Sequence, residues 1–166
     1  MNIHIDSDEA LYEYRIKRLQ SQSEMMQKMT KPPLDGFDAL FATYSTLLTV
    51  SALIGFNHDA YDDDFSRKPM GEAVQMQFFQ KDQRSMMDLV AIARTKDVNI
   101  LKSCQKYDIF SAYASAGFDI LCNKLEAKNR DWSESRTVNE CAAIISEWIL
   151  SSDADRTVDD ILGEGA

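Results

Sequence analysis

A chain of 166 residues, 45% hydrophobic and 27% charged, has the composition of an ordinary globular protein, long enough to bury roughly 70% of its unfolded surface in one domain. That composition excludes wholesale disorder, and with no apolar run near ~20 residues a bilayer-spanning helix is excluded too. The net charge of −9 argues against a general nucleic-acid binder, which needs clustered lysine and arginine.

The charge is unevenly spread. Residues 126–166 hold ten acids against four bases, whereas residues 70–125 hold six acids against seven bases, so a local DNA contact stays open in the middle of the chain. The opening MNIHIDSDEALYEYR carries acids where a secretory signal carries bases, so a cytoplasmic protein is expected. Cys104, Cys122 and Cys141 are odd in number and widely spaced, which fits buried reduced thiols.

In chain order the pattern is helical throughout. Asp6 with Glu9 predicts a capping box, followed by an amphipathic helix over 8–29 with Tyr12, Ile16, Leu19 and Met26 on one face and Arg, Lys, Gln and Ser on the other. TKPPLDG breaks it. A helix is then predicted from Asp35 or Gly36, with Phe37, Leu40, Phe41, Tyr44, Leu47 and Leu48 on one face and Gly55 as its C-terminal cap. GEAVQMQFF reads as a short helix, QRSMMDLVAIARTK as a longer one, and DVNILKSCQKY as another short one capped by Asp97.

The segment from 108 to about 127 places Phe110, Tyr113, Gly117, Leu121 and Leu125 on one stripe. Thr137 and Glu140 predict a second capping box before the stripe of Val138, Cys141, Ile144, Ile145, Trp148 and Ile149. The expectation is an all-α, single compact domain of about six to seven helices over 1–151. Its first helix docks on a core at 36–151, and residues 152–166 form an acidic mobile tail. MNIHI is the one stretch with strand-like alternation.

Candidate chemistry is sparse. Asp59, Asp62, Asp63 and Asp64 crowd six positions, but a calcium loop read from Asp62 meets Arg67 where glycine belongs and Ala73 where glutamate belongs. His58 is adjacent, yet His4 is the only other histidine. There is no phosphate-cradling glycine loop and no nucleophile elbow. A solvated loop is the plain reading of the aspartates, and a contact surface for a basic partner, with Arg67, is the functional one. No catalytic residue, metal or cofactor is expected. Lys81 and Arg84 lie one turn apart, as do Lys102 and Lys106, so they could face phosphates. Interleaved Asp82, Asp88, Asp97 and Asp108 make ordinary solvated helix faces the simpler reading. Gly117 inside a helix costs about 1 kcal/mol relative to alanine. With Ala112, Ser115 and Ala116 it predicts close approach of another helix, within the chain or at a homodimer seam. The tail segment RTVDDIL could form one amphipathic turn that docks in a partner's groove.

Three segments together, FDALFATYSTLLTVSALIGF, FSRKP and IFSAYASAGFDIL, resemble the Dnd-system-associated protein 4 family, whose genes accompany bacterial DNA phosphorothioation and its restriction machinery. The resemblance covers roughly residues 37–125. It implies a non-enzymatic, cytoplasmic accessory protein of a DNA-modification defence system, bound to a protein subunit of that machinery, and it transfers no catalytic residue. A DNA-contacting regulator using the 81–106 region and an acidic protein that imitates DNA are the rival classes.

Overall fold

The computed structural model describes residues 14–154, with side chains through residue 151. Its elements run β1 (Arg15–Ile16), α1 (Gln20–Thr30), α2 (Tyr44–Asn57), β2 (Val74–Gln75), α3 (Lys81–Thr95), α4 (Gln105–Leu125) and α5 (Ser135–Ala154). Short 3-10 turns lie at Phe65–Arg67, Met76–Phe78, Val98–Lys102 and Ala127–Asn129. The fold is all-α. The sheet among the described residues is a two-residue antiparallel pair, with Arg15 opposite Gln75 and Ile16 opposite Val74.

The centre is the crossing of α2 and α4. A methyl group on Gly117 would overlap the Ser51 carbonyl, and one on Gly55 would overlap the Tyr113 carbonyl. Two glycines, one from each helix, therefore let the backbones touch. Hydroxyls at the crossing do not compete for partners, because Ser51 Oγ donates to Leu47 O (2.7 Å) and Ser111 Oγ to Tyr107 O (2.9 Å). The small-residue ridge of α4 is thus used up inside the chain. Leu47, Leu48 and Ala52 of α2 and Phe110, Phe118, Leu121 and Leu125 of α4 form the buried centre, joined by Met26, Met29, Phe79 and Met87.

Several expected elements differ. The chain is extended at residues 15–16 and turns helical only at Gln20, so over residues 15–19 the expected first helix does not form. The proposed Asp6–Glu9 cap, MNIHI and the tail beyond residue 154 lie outside the described residues. The second helix starts at Tyr44, where the Thr43 hydroxyl accepts from Thr46 N (3.2 Å). Phe41 still reaches the core, but through an irregular segment in which Phe41 N donates to Met29 O (3.0 Å). Phe37 is exposed. Gly36, at φ +88°, sets a left-handed turn there.

Gly55 is not the cap of α2. It is the contact residue just described, and His58 ends the helix. GEAVQMQFF gives β2 and a 3-10 turn rather than a helix. Thr137 lies inside α5 and its hydroxyl donates to Asp131 O (2.5 Å), so it ties the preceding loop instead of capping the helix. Arg130 Nη1 to Glu140 Oε2 (2.9 Å) makes a second tie. No helix among the described residues is long and apolar enough to cross a membrane.

Candidate functional site: the aspartate loop and two adjoining clefts

The loop after α2 is built by its own backbone and by α4. Ala60 N donates to Gly55 O (2.8 Å) and Asp62 N to Ala112 O (3.2 Å). Asp59 takes a left-handed φ of +50°. Phe65 is buried with Leu19 and Ala112 in a small cluster, flanked by Tyr61 and Met70. The apolar anchor thus fixes which carboxylates turn inward.

Asp62 turns inward. Its side chain is 10% exposed; Oδ2 accepts from Lys68 Nζ and from Ser115 Oγ, both at 2.8 Å, and Oδ1 accepts from Asp64 N at 3.2 Å. Burial works to raise the carboxyl's pKa, but the bonds from Lys68 and Ser115, the Lys68 charge and the Asp64 amide outweigh it and hold it below the ordinary value. The same pairing raises Lys68.

Asp63 and Asp64 point out. Asp63 is 84% exposed and lies 3.9 Å from Arg94, and Asp64 meets Arg67 at 3.4 Å in solvent. Arg94 is committed elsewhere, with its guanidinium 3.5 Å over the Tyr61 ring and Nη1 donating to Tyr113 Oη at 3.4 Å. Burial raises the Tyr61 phenol, against the lowering effect of Arg94.

Two clefts flank Met70. The first, about 310 Å³, is lined by Lys17, Tyr61, Asp62, Asp63, Ser66 and Asp108, among others. The second, about 630 Å³, is lined by Arg18, Ser23, Glu24, Tyr44, Gly71 and Glu72, among others. Among the described residues no group of three or more His, Cys, Asp and Glu is placed to hold a metal ion.

The basic candidates divide. Lys81 and Lys102 are exposed. Arg84 is half-buried and donates to Phe79 O (3.1 Å). Lys106 is buried, bonds Asp88 at 3.0 Å and sits 5.3 Å from the Tyr107 ring centre. It joins α4 to α3 rather than facing solvent. Burial pushes the Tyr107 phenol up to about 12, with Asp88 nearby adding to the rise. Of the cysteines, Cys141 is buried and Cys122 half-buried, but Cys104 is exposed, against the expectation of three buried thiols. Burial raises Cys122 to about 12 and also raises Cys141, which leaves little thiolate for nucleophilic chemistry at neutral pH.

Sequence reading missed Lys68, Ser115 and Arg94 as partners of the loop. Lys68 stands beside Arg67 in FSRKP and Ser115 on the α4 ridge, but neither position signals which aspartate it meets. Arg18 and Gln22 were expected on the polar outer face of the first helix. Both are buried, and Gln22 Nε2 donates to Ser115 O and Asp119 Oδ1, each at 3.0 Å.

The fold and this surface define an all-α protein with a glycine-tight helix pair and a charged loop fixed beside it. The model of the family described as DNA sulphur modification system-associated protein 4 matches residues 15–143, and the chain belongs to that family. The match runs from β1 into α5, so it takes in α1 and the whole of the last connection, beyond the 37–125 stretch that carries the resemblance. No curated protein and no solved structure matches the chain.

Proposed function

We propose that this chain is a non-enzymatic accessory protein that binds a protein component of a bacterial DNA sulphur modification system in the cytoplasm. The observation that carries the reading is the family match over residues 15–143. The loop supplies the contact surface: Asp59, Asp63, Asp64 and Arg67 are exposed, while Asp62 holds them in place from within. A carboxylate already sharing Lys68 and Ser115 is a structural anchor and not a general base. Exposed aspartates held on a fixed loop suit a basic patch on a protein partner.

The DNA-contacting alternative through Lys81, Arg84, Lys102 and Lys106 draws less support, because Lys106 and Arg84 are engaged within the chain. A tagged protein recovered from its native host tests the proposal. The expected result is co-purification of modification or restriction subunits, reduced at high salt and by Asp63→Lys with Asp64→Lys. Recovery of nothing but the protein itself, or of proteins released by nuclease, contradicts it.

A further inference from the structure

Arg18 is only 6% exposed and lines the larger cleft, yet no carboxylate among the described residues pairs with it. Nε donates to the backbone O of Glu72 (2.6 Å), and the guanidinium lies 4.3 Å over the Tyr44 ring. Nη1 is buried with no hydrogen-bond partner among the described residues. A guanidinium taken out of water ordinarily finds a carboxylate or a phosphate, since its fork of N–H donors matches either one. Here the stack and the single bond fix its orientation, and no carboxylate among the described residues compensates its charge. We propose that the Arg18 cleft is a binding site for a single carboxylate presented by a protein partner, an acidic side chain or a chain terminus.

Three observations favour a carboxylate over nucleic acid. Among the described residues Arg18 is the one basic side chain lining the cleft, and Glu24 and Glu72 line it as well, which disfavours the dense charge of a phosphate backbone. Glu24 is offset by Lys28 at 3.1 Å, whereas Glu72 is exposed. Gly71 provides the close wall, since a methyl there would overlap Ser23 Oγ. Finally, Met70 lines both clefts, so this site continues the aspartate-loop surface, and a partner offering one acid beside a basic patch fits both. The proposal rests on the protein-binding reading only for the source of its carboxylate.

Titration of labelled protein with N-acetylglycinate, followed at the Arg18 Nε–Hε NMR signal, tests the site without any partner. The expected outcome is a saturable shift with a Kd on the order of millimolar, abolished in Arg18→Gln. Glu72→Gln should tighten it about two- to fivefold, the size of a surface charge interaction. A shift no larger than with sodium chloride at equal ionic strength overturns the proposal. So does saturation by inorganic phosphate or a short single-stranded oligonucleotide but not by N-acetylglycinate. Because the readout uses folded wild-type protein, misfolding of Arg18→Gln does not decide it. Recovery of system subunits by wild type and Arg18→Gln alike sinks this site and leaves the functional reading standing. Saturation at Arg18 with no subunits recovered does the reverse.

Discussion

Helix α4 carries two neighbouring sites held by opposite physics. At Gly117 it is pressed against α2, and only steric fit matters, because a methyl group would strike the Ser51 carbonyl. At Ser115, two residues earlier, it donates to Asp62 at 2.8 Å and so holds a charged loop. The crossing is insensitive to pH and salt but intolerant of one added carbon. The loop tolerates volume changes but depends on charge. The structural burden therefore rests on the crossing, and the loop is left as a surface that can present carboxylates.

The sharpest way to break the comparison is at the crossing. Gly117→Ala should cost on the order of 3 kcal/mol or more, because the obstruction is backbone rather than a movable side chain. Gly55→Ala should behave alike, against the Tyr113 carbonyl. Urea unfolding measures both, with Gly36→Ala as a contrast, since space around Gly36 is open and only its φ of +88° makes alanine costly, by about 1 kcal/mol. Next in size, Asp88→Ala strands the Lys106 ammonium and should cost about 2 kcal/mol. Adding Lys106→Met should recover much of it, which a thermal melt of the double variant reads out.

A smaller effect sharpens the loop's side. Asp62 has its carboxyl pKa lowered in the fold, so its contribution is fully present above the ordinary aspartate pKa of about 3.9. It is lost as pH falls through the lower folded value. Asp62→Asn should cost about 1 kcal/mol at neutral pH and flatten the acid arm of the stability curve below about pH 4. An unchanged acid arm would mean that Lys68 and Ser115 do not hold this carboxylate in solution. Smallest of all, Asp63→Ala should change stability by less than about 0.5 kcal/mol, as for an exposed ion pair. A larger loss would make Asp63 part of the fold instead of its contact surface.

The helices were legible because apolar spacing survives in α2, α4 and α5 whatever the ends do. Gly117 was legible as a place of close approach because glycine costs stability inside a helix. What that glycine met was not, since Gly55 reads equally well as a cap. β1 and β2 span two residues each, too short for alternation to show. The helical spacing of Phe37, Leu40 and Phe41 misled because Gly36 and the Thr43 cap set the start of α2 locally, and Phe41 reaches the core without a helix. At the site the run of aspartates was plain, but the inward turn of Asp62 depends on Ser115, 53 residues away. Arg18 hid for the same reason. An arginine on a polar stripe looks solvated, and its burial against the Glu72 carbonyl and the Tyr44 ring is tertiary information.

Zero-length carbodiimide cross-linking in lysate of the native host, read by mass spectrometry, tests the central claim most directly. The expected result is a set of links from Asp63 or Asp64 to lysines of a modification-system subunit, reduced when salt is raised. Links confined to copies of this chain, or an unlinked loop while another face joins the subunit, would contradict it.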